Sequence, residues 1–251
     1  PELIEKRDDL VLEEITLLNQ VGKYIQAKRK LDAHIFHPWE GGEGKVPAQY
    51  QICRVELAKQ NIAEGKYKCA VGLLKQCLTY PHHLGEGKLY GAQENDFYYL
   101  LGVAYDALGN TDEAKECWEK AVLGPQEPAA AMYYNDAKPD KIFYQGMALR
   151  KLGREDEAHG RFYRLINYGK QHVFEHQTMD YFAVSLPDLL IWDDSLDTKN
   201  VIHCKYMLAL GYCGMGDMKH ALKYLAEVEA LDNNHQGAQQ LRSFIELRLL
   251  P

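Results

Sequence analysis

Asn95-Asp96-Phe97-Tyr98-Tyr99-Leu100-Leu101-Gly102-Val103-Ala104-Tyr105-Asp106-Ala107-Leu108-Gly109-Asn110-Thr111-Asp112-Glu113-Ala114-Lys115-Glu116-Cys117-Trp118-Glu119-Lys120-Ala121 is the stretch that decides the fold. Upstream of Gly109, Tyr98, Leu101, Gly102 and Tyr105 recur at the three- and four-residue spacing of a helix face. Downstream, Ala114, Trp118 and Ala121 do the same. Gly109 can end the first helix in a left-handed backbone conformation, and a short turn follows. Ala114 suits the point where two helix backbones approach closely, and Trp118 fills the groove one turn later. Asp112 and Glu113 fall in the first turn of the second helix, where the helix dipole favours acids.

The same spacing runs through the chain. A Gly followed five residues later by Ala occurs at Gly22/Ala27, Gly65/Ala70, Gly109/Ala114, Gly153/Ala158 and Gly216/Ala221, with glycine intervals of 43, 44, 44 and 63 residues. Leu31, Leu74, Trp118, Phe162 and Leu225 stand four residues beyond each Ala. Hairpins of this kind cannot bury their apolar faces alone, so they stack. The pattern resembles the tetratricopeptide repeat, most fully in the third unit. The resemblance implies an all-α fold: a tetratricopeptide-like α-solenoid of about five helical hairpins with long inter-repeat loops and a C-terminal capping helix. The family's period is about 34 residues, shorter than the intervals here; HEAT-type repeats of about 40–47 residues are the structural alternative. The periodicity predicts helices over 2–20 and 23–36, 47–63 and 66–79, 92–108 and 111–123, 139–152 and 155–167, 200–214 and 217–230, and a last one over 235–249. The whole chain, 1–251, reads as one domain with an insertion at about 168–200, where the glycine interval lengthens.

Composition narrows the function. Hydrophobic residues make up 46% and charged residues 26% of the chain, enough for a substantial core. The formal net charge of -7 argues against a nucleic-acid partner, which needs a clustered basic face. No apolar run approaches the ~20 residues that span a bilayer, and no signal peptide is visible, so we expect no membrane partner and a cytoplasmic location. Cys53, Cys69, Cys77, Cys117, Cys204 and Cys213 form no CxxC pair and mostly sit in apolar helical patterns, as reduced thiols do. The start at Pro1 rather than Met suggests a piece of a longer protein.

The inter-repeat loops carry the ligand-binding candidates. His37-Pro38-Trp39-Glu40-Gly41-Gly42-Glu43-Gly44-Lys45 and Tyr80-Pro81-His82-His83-Leu84-Gly85-Glu86-Gly87-Lys88 share Pro, Gly-Glu-Gly and Lys, 43 residues apart. Aromatic rings, carboxylates, amides and lysines on one edge suit polar ligands, sugars among them. The loop-edge candidates are Trp39, Glu40, Glu43, Lys45, Glu86, Lys88, Gln93, Asn95 and Asp96. The structural alternative is a tight turn whose Gly and Pro serve the backbone alone. A second candidate surface is the inner face of the stack, where Tyr99, Phe143, Tyr144, Met147 and Tyr206 would present rings to a protein partner. The alternative there is contact with the insertion or with another domain of the same protein.

Other constellations carry less. His172-Val173-Phe174-Glu175-His176 matches the inverted zinc-protease pattern, but it needs a continuous helix and a third ligand. Asp180, Asp188, Asp193 and Asp194 could pair for glycoside hydrolysis, though helix-end capping explains clustered Asp as well. We expect no catalytic residues, no metal and no cofactor.

The loops, Asn95–Tyr99, the Tyr-Tyr-Asn-Asp run at 133–136 and the Asp-Tyr-Phe-Ala-Val-Ser-Leu-Pro-Asp run at 180–188 resemble the C-terminal tetratricopeptide region of large bacterial proteins. In those, a domain of unknown function of the DUF5107 type comes first. The resemblance implies a link to carbohydrate metabolism and brings no catalytic residue. The sequence therefore points to a non-catalytic interaction module for a protein partner or its own N-terminal domain. A carbohydrate-binding or glycosidase-associated module, using the loop edge, is the alternative.

Overall fold

In the computed structural model the residues described are 6–130, 138–178 and 195–250. Among them all regular structure is helical: α1 (Asp8–Gln20), α2 (Tyr24–Ala33), α3 (Lys45–Ala63), α4 (Tyr67–Cys77), α5 (Asn95–Ala107), α6 (Thr111–Ala121), α7 (Pro139–Lys151), α8 (Glu155–His172), α9 (Leu196–Gly214), α10 (Met218–Leu231) and α11 (Gln236–Glu246), with a short 3-10 turn at His82–Leu84. The helices start and stop close to the positions the periodicity predicts. At the insertion α8 runs on to His172 and α9 begins at Leu196, beyond the expected ends.

One turn geometry makes every hairpin. Gly22, Gly65, Gly109, Gly153 and Gly216 have φ of +72° to +80°, a region closed to most side chains. At Gly109 the turn closes with Gly109 N–H donating to Asp106 O at 2.9 Å and Asn110 N–H to Tyr105 O at 2.9 Å. This pair of bonds satisfies carbonyls that the helix end would otherwise leave open. Arg154 N–H to Leu149 O and Asp217 N–H to Tyr212 O, both 2.9 Å, repeat the closure. Ala27, Ala70, Ala114, Ala158 and Ala221 are all fully buried, and so are Leu31, Leu74, Phe162 and Leu225.

Two compact units are distinguished by packing: Pro1–Ala92 with Leu100–Ala114 and Ser243–Pro251, and Gln93–Tyr99 with Lys115–Arg242. In the first, α1 packs on α2, α2 on α3, α3 on α4, and α1 also reaches α3. Its core holds Ile15, Leu31, Phe36, Tyr50, Cys53 and Leu84. Asn19 Nδ2 donates to Gln49 O and Oε1 (3.2 and 2.9 Å), tying α1 to α3 through a buried amide. Arg54, 2% exposed, lies over the Tyr50 ring, bonds Asp32 and donates to Gln76 Oε1 at 3.0 Å.

In the second unit α7 packs on α8, α8 on α9, α9 on α10, and α7 meets α9. The Phe162 ring of α8 sits where Gly146 of α7 and Gly214 of α9 leave room. A Cβ at Gly146 would come within 2.6 Å of Phe162 Cζ, and one at Gly214 within 2.5 Å of its Cγ. Burying such a ring completely contributes roughly 1.5–3 kcal/mol.

Candidate functional site

The first two connecting loops are held together by backbone bonds that their sequences dictate. Phe36 N–H donates to His83 O at 2.8 Å, and Phe36 is buried. Gly85 adopts φ +74°, and a Cβ there would fall 2.6 Å from Phe36 O, so only Gly lets the loops approach this closely. Glu86 Oε2 accepts from Gly44 N–H at 2.7 Å, so the second Gly-Glu-Gly clasps the first. Trp39 folds back over Gly42, where a Cβ would lie 2.6 Å from the indole Nε1, and packs on the core of the first unit.

These contacts leave a cavity of about 280 Å³ lined by His37, Pro38, Trp39, Glu40, Gly42, Glu43, Val46, Leu84 and Glu86. Three carboxylates converge beside one indole, and no lysine or arginine is among the lining residues. Glu40 and Glu43 are exposed, while Glu86 is half-buried. Burial raises the Glu86 carboxyl above its ordinary value; the Gly44 N–H works against this and the Glu43 charge adds to it. The cavity thus holds concentrated negative potential in a partly dry setting, where a cation interacts more strongly than in bulk water.

His37, outside the sequence candidates, forms part of the wall and is anchored from α1. Asp8 Oδ2 accepts from His37 N–H at 2.7 Å and faces His37 Nδ1 at 3.1 Å, and Asp8 Oδ1 meets His34 Nε2 at 2.7 Å. Burial works to raise the Asp8 carboxyl, but the hydrogen bonds from His34 and His37 together hold it below its ordinary value. Asp8 and His37 are far apart in sequence, and no periodicity links them.

Of the loop-edge candidates, the fold brings together Trp39, Glu40, Glu43 and Glu86. Lys45 and Lys88 are exposed and do not line the cavity. Lys88 Nζ instead donates to Leu78 O at 3.3 Å, at the end of α4, where a cation suits the helix dipole. Gln93 is half-buried and belongs to the second unit. Asn95 and Asp96 are corrected from loop edge to interior, at 4% and 7% exposure. Asn95 Nδ2 donates to Ala121 O and Leu123 O, both at 2.7 Å, and Asp96 pairs with Lys141 at 2.5 Å. These side chains tie α5 to the end of α6 and the start of α7.

The inner-face expectation is also corrected. Tyr99, Phe143, Tyr144, Met147 and Tyr206 are all at or below 7% exposure, inside the second unit. Ring contacts chain most of them together: Tyr99 to Tyr144 at 5.6 Å, Tyr144 to Phe143 at 5.2 Å, and Phe143 to Phe162 at 6.0 Å. Burial raises the Tyr99 and Tyr206 hydroxyls. The HxxEH run does not continue a helix, because α8 ends at His172. His172 pairs with Glu175 at 2.6 Å and His176 with Asp197 at 2.9 Å. Among the described residues no three of His, Cys, Asp or Glu converge on a metal-sized site. Also among them, no helix is long and apolar enough to cross a membrane. The expected fold-back of the insertion, its carboxylates at 180, 188, 193 and 194, and the 133–136 run lie outside the described residues.

Comparison with known proteins identifies one repeat directly: residues 96–123 match the tetratricopeptide repeat. Among solved structures, the chain is similar to the nearly identical TPR-like repeats of a Podosopora anserina protein described as a kinesin light chain. Identity there is 17% and the TM-score 0.37, over 92% of this chain and 97% of that one. It is similar also to a point mutant of MamA, at 17% identity and a TM-score of 0.30, over 90% of this chain and 98% of the other.

Proposed function

We propose that this chain is a non-catalytic interaction module that holds a protein partner, and that the Trp39 cavity receives one cationic side chain of that partner. The tetratricopeptide repeat at 96–123 and the repeated hairpin turns support the general reading. The observation that carries the finer one is the convergence of Glu40, Glu43 and Glu86 beside the Trp39 indole. A lysine or arginine head group fits a cavity of this size, which lies near the lower end for small-molecule sites. It would gain from the carboxylates and from the ring face, a cation–π contact contributing about 0.5–2 kcal/mol. The partner is a separate protein or an N-terminal domain of the same polypeptide.

A second reading, a carbohydrate-binding or glycosidase-associated module, uses the same groups. An indole stacks on a sugar ring, and carboxylates accept hydroxyl hydrogen bonds. Calorimetry separates the two. Capped lysine and arginine peptides are titrated against a monosaccharide panel, with Glu43→Gln, an exposed and fold-neutral change, as the control. The interaction reading expects peptide binding that Glu43→Gln weakens by about two- to five-fold, in line with a solvent-exposed charge pair. Saccharide binding with silent peptides establishes the second reading, and silence from both removes the cavity from either.

A further inference from the structure

Among the described residues the buried lysines and arginines are Arg54, Lys59 and Arg161. Two of them meet a carboxylate: Arg54 is paired with Asp32, and Lys59 with Glu56 at 2.6 Å. Arg161, on α8 and 7% exposed, has no carboxylate within ion-pair distance among the described residues. Its Nε donates to Gln145 Oε1 at 3.3 Å, and neither Nη makes a hydrogen bond there. A buried cation without a counter-charge is costly, and a guanidinium cannot escape the cost by losing its proton. Burial opposes the Arg161 cation most, and the charges of Arg164 and Arg154 add to this. Glu157 and Glu127 offset only part of it, so the group lies below its ordinary value.

The guanidinium is also held in place. Gln145 of α7, 1% exposed, donates from Nε2 to Pro125 O at 2.9 Å and to Leu123 O at 3.3 Å. With its amide nitrogen engaged by two carbonyls, its oxygen faces Arg161 Nε. Arg161 is thereby oriented from its Nε edge, and the fork of its two Nη groups is left for an acceptor with two oxygens. Residues 124–127, the connection that Gln145 grips, are all exposed. Every one of these residues belongs to the second unit.

From this we infer that Arg161 anchors a binding site for a single carboxylate, borne by an acidic side chain of a protein partner. Charge selects the class of ligand. Arg154 pairs with Glu157 at 2.6 Å, and Arg164 with Glu127 at 3.3 Å, so one positive charge is left over. One carboxylate balances it, whereas a phosphate dianion would bring a second negative charge towards Glu127 and Glu157. The site deepens the interaction reading above and rests on it in that a protein bears the carboxylate. It is separate from the Trp39 cavity, which takes the opposite charge.

The test is a nuclear magnetic resonance titration of the full chain with capped glutamate, with capped glutamine and inorganic phosphate as comparison probes. Capped glutamate should shift Arg161 Nε–H and the Gln145 side-chain amide together and saturably. Capped glutamine should shift neither, and phosphate should bind no more tightly than glutamate. Glu127→Gln, at an exposed position, removes a competing charge and should tighten glutamate binding about two- to five-fold. Arg161→Met should abolish the shifts at Gln145 yet melt no lower than the wild type, because an apolar side chain then replaces an unpaired buried charge. A lower melting temperature for Arg161→Met would make Arg161 a structural strut and overturn the proposal. Tighter binding of phosphate, shifts confined to exposed lysines, or no tightening in Glu127→Gln would overturn it equally. Capped lysine is titrated alongside: glutamate bound with lysine silent removes the Trp39 cavity alone, and lysine bound with glutamate silent removes the Arg161 site alone.

Discussion

Replacing Gly146 by Ala sets two opposing effects against each other, and the structure decides the sign. Gly146 lies inside α7, where Ala is favoured over Gly by about 1 kcal/mol on helix propensity alone. The added Cβ, however, would fall within 2.6 Å of Phe162 Cζ. Gly214 approaches the Cδ1–Cε1 edge of the same ring just as closely. Overpacking a filled core costs about 1–3 kcal/mol, and an edge already met closely by a second glycine belongs at the upper end. The net result is a loss of about 1–2 kcal/mol, which for a chain of this size lowers the melting temperature by about 2–8 °C. Gly160, inside α8 with nothing within 4 Å of its added Cβ, is the matched control. Gly160→Ala should gain up to about 1 kcal/mol. Urea denaturation of the two variants beside the wild type measures both. Combining Gly146→Ala with Phe162→Leu should recover part of the loss, since neighbouring sites are not additive. A Gly146→Ala protein as stable as the Gly160→Ala protein would refute the close helix contact on which the hairpin packing depends.

The cavity and its supports yield further outcomes. Phe162→Ala should cost about 3–5 kcal/mol in denaturant melts, because the ring fills a site with no exposed edge. The Glu86 carboxyl is raised in the folded state, so its contribution to stability is present at low pH and is lost as pH rises through its raised folded value. Glu86→Gln, whose amide oxygen can still accept from Gly44, should flatten that part of the stability–pH profile. For the same reason lysine-peptide affinity should fall as pH drops through the Glu86 range, and the Gln variant should show less of this dependence in calorimetry. Asp8 titrates the other way: its carboxyl is held low, so its stabilisation is present above its unfolded value and lost as pH falls through the depressed folded one. Asp8→Asn should cost about 1 kcal/mol near neutral pH and speed amide exchange at His37, whose N–H it holds.

The hairpins were legible because two local signals coincide. A left-handed Gly and a small residue five positions on fix turn and approach without reference to the rest of the chain, as Gly109 and Ala114 show. Glu43 and Glu86 occupy equivalent positions of the two repeated loops, 43 residues apart, whereas Trp39 and Glu40 face the cavity with no counterpart in the second loop, where His82 and His83 stand instead. The inner-face aromatics were misplaced because periodicity locates an apolar face only when the other face is polar. In α7 every residue from Ile142 to Leu149 is buried, and in α9 every residue from Tyr206 to Gly211, so the helical period carries no such contrast. Asn95 and Asp96 were misplaced because loop-edge chemistry and helix-end chemistry use the same polar residues. The Asp8–His37 anchor left no local trace, since only the folded chain brings α1 to the first loop.

The most direct measurement follows backbone amides during a nuclear magnetic resonance titration with capped lysine. Gly41, Gly42 and Gly44, with the Trp39 indole N–H, should shift together and saturably, and added salt should weaken the effect, as it does for exposed charges. Equal shifts on adding glucose in place of lysine, or shifts confined to residues away from these loops, would contradict the account.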